Sequence, residues 1–369
     1  MTRRRLPPLA LAAWVVAAGV LAVLVVAVAH YLSGASSGGS MPHSHALIRG
    51  GATTPHEKLV GRPLLTAWQL DAIAVAVVVL AGAAYLTAAA LVPVRDSGRR
   101  WPLARTLSFL AGLAVIVYAT CGSIAVYDQV LFSAHMLGHL SLVMVAPALL
   151  AAGRPLTLAL TVAPPARRAR LERIATGRVV SLLTAPPVAL VTYTAVIVGS
   201  HLTGVMDVIM RNAWVGQIEH LVYLVAGYQF FVLIVGDEPI RWRLSSPVRW
   251  LLLALGMAVD TFTGIVLMQG TGAVYLAHSP LAVDAISDTH TGGAIMWAGG
   301  DGIMALVMVA LVVGWLRTVE GAPVQRGWLE QARGAAFTDH TGAAADDRLD
   351  EDDAARAAYN QWLEKLDHR

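Results

Sequence analysis

The chain has 369 residues, of which 56% are hydrophobic and only 14% charged, and its mean hydropathy is +0.61. A soluble globular chain is about 45–50% apolar and about 25% charged, so this composition excludes an ordinary soluble enzyme or binding domain. The formal net charge of +3 comes from basic residues scattered in short loops, not from a basic cluster interleaved with aromatics, so nucleic-acid binding is excluded as well.

The apolar residues fall in blocks long enough to cross a bilayer core of about 30 Å at about 1.5 Å per residue. In chain order, the first block is Leu9–His30, preceded by Arg3, Arg4 and Arg5. It is longer than a signal-peptide core and is expected to be a retained anchor, cleavage near Ala35 being the alternative. Further spans are expected at Trp68–Val94, Thr106–Val126, His135–Leu160, Val179–Ser200, Trp214–Gly236, Trp250–Gly270 and Gly293–Leu316. The expectation is an all-α polytopic transmembrane bundle of about eight spans. The alternating ten-residue segments of a membrane β-barrel are absent.

Arginines set the orientation. Arg95, Arg99, Arg100 and Arg105 separate the second and third spans. Arg167, Arg168, Arg170, Arg173 and Arg178 separate the fourth and fifth, and Arg241, Arg243 and Arg249 the sixth and seventh. The intervening loops carry fewer, so the positive-inside rule places both termini in the cytoplasm. Residues 1–64 then read as an anchor with an outer loop, 65–317 as a seven-span core, and 318–369 as a polar cytoplasmic tail with an acidic run at Asp346–Asp353.

On that topology ten of the 12 histidines fall on the outer side: His30, His43, His45, His56, His135, His139, His201, His220, His278 and His290. His135 and His139 are the sharpest pair. Residues i and i+4 share one helical face with Cβ atoms about 5–6 Å apart, so both rings can address one metal ion; the bland reading is a pair that holds helices together. Imidazole suits copper, zinc, iron and nickel, and nearby thioethers such as Met136 or Met144 would favour Cu(I). Glu219 and His220 are adjacent, about 100° apart on their helix, so only one of them is expected to face the pair.

Asp260 and Asp301 lie inside the seventh and eighth spans, where acidic groups are costly and face the bundle interior. Each is a functional candidate or a structural hydrogen-bonding group. Asp288 and His290 precede the last span and either cover the outer mouth or, for Asp288 or Thr291, cap the helix. His43, His45, His56 and Met41 form a weak candidate for metal capture, and Cys121, the single cysteine, reads as a packed apolar side chain that excludes an intrachain disulfide. The HExxH, P-loop, GxSxG and CxxC patterns of common enzymes are absent.

Three blocks carry a resemblance: FSAHMLGHLSLVMVAPALLAAGRPLTLAL (Phe132–Leu160), AGYQFFVLIVGDEP (Ala226–Pro239) and DTHTGGAIMW (Asp288–Trp297). Together they make the chain, from about Leu65 to Arg317, similar to the multi-spanning CtaG-type cytochrome c oxidase assembly factors of bacteria. The resemblance implies a non-enzymatic role in assembling a haem–copper oxidase, with copper handled at the outer face of the plasma membrane. It also implies oxidase subunits, and a periplasmic copper chaperone, as partners. By position, His135 and His139 match the family's paired histidines, His220 its histidine in the next outward-opening helix, and Asp288 its last outer acidic residue. Two positions depart: His290 stands where glutamine is expected, and Asp260 where histidine is. The ligand set implied is His135, His139 and His220, tuned or completed by Asp260, Asp288 or His290. Two other classes stay open beside it, a haem-binding redox protein and a small-solute transporter with a site around Asp260 and Asp301.

Overall fold

A computed structural model describes residues 49–50, 59–95, 100–128, 130–211, 213–272, 281 and 283–321, with a few single positions of the tail. The expected first span, the outer-loop histidines His30, His43, His45 and His56, and His278 lie outside the described residues.

A two-residue antiparallel pairing joins β1 (Arg49–Gly50) to β2 (Leu70–Asp71), with the short helix α1 (Pro63–Thr66) between them. Everything else of regular structure is helical. Helix α2 (Ala72–Arg95) begins where Asp71, wholly buried, accepts a bond from the Ala74 amide. It packs against α3 (Leu103–Cys121), which continues after a bend at Gly122 into α4 (Ser123–Tyr127).

The fourth expected span divides. It runs as α5 (Phe132–Leu140), a π-helical turn at Ser141–Val145 and α6 (Ala146–Ala152). Arg154 then takes a left-handed conformation (φ 52°), and Pro155, unable to continue a helix, opens α7 (Pro155–Val162). Two short helices follow, α8 (Pro165–Ala175) and α9 (Arg178–Leu183).

The fifth expected span, Val179–Ser200, differs in the structure. Pro186 and Pro187 lack amide hydrogens and stand at the first positions of a new helix, α10 (Pro186–His201), leaving it only 16 residues long. Helix α11 (Val205–Arg211) is followed by α12 (Ala213–Ile234), α13 (Ser246–Gln269) and α14 (Ala285–Ala294). A second π turn (Ile295–Gly299) leads into α15 (Gly300–Gly321). Among the described residues, which do not include the first expected span, six segments are long and apolar enough to cross a membrane. The chain is therefore a mostly helical, multi-pass membrane protein. It divides into two compact units between Leu311 and Val312, and the bundle belongs to the first. Of the tail, Thr338, Ala357, Asn360, Gln361 and Glu364 are described, all helical.

The larger of two apolar clusters among the described residues includes Phe132, Met136, Met144, Tyr193, Tyr223, Phe230 and Met304. Helices α5, α10, α12, α13 and α14 surround it. Their approach is close where glycine permits. A Cβ on Gly227 would lie 2.1 Å from the Val143 carbonyl oxygen, so only glycine lets α12 cross the first π turn at this depth.

Away from the histidines, the end of α6 is tied down by charge. Asp237, in the loop after α12, pairs with Arg154 and, at 2.9 Å, with Arg249. Burial pushes the Asp237 carboxyl up, but the two guanidiniums outweigh it and hold the group below the usual carboxylate range. Glu238 caps α7, accepting from the Leu156 amide (3.0 Å), the Thr157 amide (2.8 Å) and the Thr157 hydroxyl.

Candidate metal centre

His135 and His139 occupy the first turns of α5, and both are buried. The helix start that presents them is held by Asp288 of α14. Its carboxylate accepts from the Phe132 amide at 2.6 Å and the Ser133 amide at 3.4 Å, two donors that the first turn leaves without intrahelical partners. The two helices approach at Gly292, where a Cβ would lie 2.4 Å from the Phe132 ring.

Glu219 reaches the pair from α12. One ligand atom each of His135, His139 and Glu219 lies within 4.8 Å of the others, and all three residues are buried. The histidine rings are 4.0 Å apart between centroids. Of the adjacent residues Glu219 and His220, the structure brings Glu219 into this group; His220 is half-buried on the next position of the helix.

A fourth residue completes the arrangement. His201, at the end of α10, is buried, and its Nε2 lies 3.0 Å from His139 Nδ1. The hydrogen-bond network assigns the tautomers. His201 Nδ1 faces the Ile197 carbonyl oxygen at 2.7 Å, which can only accept, so His201 carries its proton there. His201 Nε2 is then an acceptor, and His139 Nδ1–H donates to it. The remaining nitrogen, His139 Nε2, holds a lone pair, and it faces Glu219 Oε1 at 3.2 Å.

That contact is the test of fit. A lone pair and a carboxylate oxygen repel at 3.2 Å unless a proton or a metal cation lies between them. Among the described residues neither Glu219 oxygen accepts a hydrogen bond, although both are buried. An unmatched buried carboxylate is costly, and a cation held jointly by nitrogen and oxygen removes the cost. The donor set of two imidazoles and one carboxylate fits a borderline metal ion such as copper or zinc. Around it, Tyr223 stacks on His139 at 4.1 Å between centroids and bonds to Ser200.

The remaining expected residues lie elsewhere. Asp288 serves as a cap for α5, with its carboxylate committed to backbone amides. It does not cap its own helix: α14 begins earlier than expected, and Asp284 is its cap, accepting from the Ser287 amide. His290 Nε2 bonds the Gly270 carbonyl oxygen at 2.9 Å. Asp260, wholly buried, accepts from the Tyr193 hydroxyl at 2.9 Å. Tyr193 and His201 are two turns apart on α10, so Asp260 lies about 12 Å along the bundle from the histidines. Asp301 accepts from the Thr261 hydroxyl at 3.0 Å.

Residues 83–318 match the family described as cytochrome c oxidase caa3 assembly factor (Caa3_CtaG). The chain belongs to this family. Its relatives include proteins of Mycobacterium bovis and Mycobacterium tuberculosis, both described only as uncharacterized. Each is 33% identical over 279 residues, covering 72% of this chain and 42% of the relative. A Mycobacterium leprae protein, likewise uncharacterized, is 31% identical over 268 residues, covering 68% of this chain and 40% of its own length. The chain thus spans about two-fifths of the curated relatives it matches. No solved structure matches it.

Proposed function

We propose that this family member is a non-enzymatic assembly factor that holds copper for a haem–copper oxidase in the bacterial plasma membrane. The ion is cargo, bound by His135 Nε2 or Nδ1, His139 Nε2 and a Glu219 oxygen. The observation that carries the reading is the convergence of these three buried groups, with Glu219 accepting no hydrogen bond among the described residues. His201 orients His139 and fixes which nitrogen is offered, the part that a hydrogen-bonding neighbour plays for a metal-bound imidazole.

The chemistry suits transfer. Two imidazoles and a carboxylate hold copper less tenaciously than thiolates would, so an acceptor with a thiolate or a further imidazole can take the ion over. The arginine pattern sets the histidine end toward the outside, where an oxidase subunit or a periplasmic copper chaperone would meet it. Axial haem ligation fits less well, because His135 and His139 stand on one helix with their rings 4.0 Å apart, leaving no macrocycle between them.

The test is metal content of the purified protein. His135→Ala with His139→Ala, and Glu219→Gln separately, are expected to lose copper, while His220→Ala keeps it. Unchanged copper stoichiometry in the double histidine variant would overturn the assignment. Oxidase activity of a deletion strain, with and without added copper, links the site to assembly.

A further inference from the structure

Asp260 is one of the candidate ligands that the fold removes from the histidine centre, and its own surroundings are specific. Its side chain is wholly buried, Oδ2 is taken by the Tyr193 hydroxyl, and among the described residues Oδ1 accepts no hydrogen bond. Opposite it stands Gly300, the first residue of α15. The place where a Gly300 side chain would begin is bordered by the Met144 methyl at 3.3 Å and by the Asp260 Cβ and Cγ at 3.6 and 3.9 Å. One turn along each helix the pairing repeats with the roles exchanged. The Met304 methyl lies 3.5 Å from the corresponding place on Gly256, one turn before Asp260. Residues four apart share a helical face, so Met304 and Asp260 border the same seam. Met144 and Met304 are both 0% exposed.

The methionines that border this seam carry thioethers, which are weak acceptors and offer a carboxylate oxygen no proton. Thioethers are the ligands that select Cu(I) among biological cations, and an unbranched methionine with three rotatable bonds can turn its sulfur toward an ion. Glycines at 256 and 300 allow the helices to approach closely along this seam, with the Phe230 ring also against Gly256.

We infer that Asp260, Met144 and Met304 form a second cation site, for Cu(I), about 12 Å along the bundle from the histidine centre. It rests on the copper reading above for the identity of the ion, but on none of the same residues. The first centre offers nitrogen and oxygen, and the second offers sulfur and oxygen. The two would therefore hold one cargo in different ligand fields, the deeper one favouring the reduced ion.

The experiment is Cu(I) titration of the full-length protein in detergent against a colorimetric Cu(I) chelator, with X-ray absorption at the copper edge. Wild type is expected to show both copper–sulfur and copper–nitrogen scattering. Asp260→Asn, which keeps the size and the Tyr193 contact, should bind one equivalent fewer and retain the nitrogen signal. Met144→Leu with Met304→Leu should lose the sulfur signal while the histidine-bound equivalent stays. His135→Ala with His139→Ala should show the converse, sulfur retained and nitrogen lost. If the histidine variant alone keeps its full copper, the first centre fails and this one stands. Asp260→Asn with wild-type stoichiometry, loss of both equivalents together in that variant, or wild-type spectra without copper–sulfur scattering overturns the second site. The last result would leave Asp260 as a protonated structural acid among core methionines.

Discussion

Removing His201 perturbs the proposed copper site without touching the ion. His201→Ala deletes the acceptor of the His139 Nδ1–H bond, 3.0 Å long and buried at both ends. The His139 ring then loses the partner that fixes its tautomer, and a buried N–H goes unsatisfied. Loss of such an orienting partner costs about 10–100-fold in metal affinity, or about 1.4–2.8 kcal/mol at 1.4 per tenfold. The unpaired donor adds about 1–3 kcal/mol of destabilisation. The assay is chelator competition at fixed pH, with thermal unfolding of the same samples. His201→Gln is the companion, because its amide oxygen can replace Nε2 as acceptor and should recover most of the affinity. His201→Ala binding copper within twofold of wild type, or His201→Gln no better than His201→Ala, would refute the orienting role.

Three further outcomes follow from contacts elsewhere. Asp288→Ala removes the acceptor from two amides at the start of α5 and is expected to cost about 1–2 kcal/mol of stability, read by thermal unfolding. Copper stoichiometry should persist, since the carboxylate is not a ligand. Gly227→Val places side-chain atoms against the Val143 carbonyl, where even a Cβ would lie at 2.1 Å. Overpacking of this kind costs about 1–3 kcal/mol; by pushing α12 outward, it should also separate Glu219 from the histidines and lower copper affinity. The Asp237 clamp gives a pH dependence. Its folded pKa is depressed, so its contribution is present above the ordinary carboxylate value of about 4 and is lost as pH falls through the folded value. Because Asp237 is 53% exposed, the effect is under about 1 kcal/mol, and Asp237→Asn should flatten the acid limb of an unfolding-against-pH curve by no more than that.

The membrane character and most of the helix positions are legible because apolar block length is a local property of the chain. The i, i+4 spacing of His135 and His139 is local too, and the structure places both rings together. What the sequence leaves undecided is which neighbours converge on them. Glu219 and His220 are equivalent candidates until the rotation of α12 is known, and that rotation is fixed by Gly227 packing against Val143. His201 is visible as an outward histidine on the same side as the pair. Its role as partner depends on α10 ending level with the first turns of α5, which no local pattern states. The helix of the fifth expected span starts later than hydropathy suggests, because Pro186–Pro187 is apolar by composition yet incompatible with a helix interior. Asp288 is read from the sequence as covering the outer mouth or capping its own helix, whereas it caps a helix start 156 residues away in sequence, a long-range pairing with no sequence signature.

The π turn at Ser141–Val145 stands directly after the two histidines. Such a turn stores one residue more than the α-helical turn it replaces. If it were to relax, the preceding segment would rotate by about 100°, and His135 and His139 would swing together away from Glu219. Helices α6 and α7 could stay where they are, anchored through Arg154 and Glu238. A bundle built this way has a local ratchet beside the proposed copper site, and a grip by His135, His139 and Glu219 could be dismantled by the slip of a single residue instead of by separating helices.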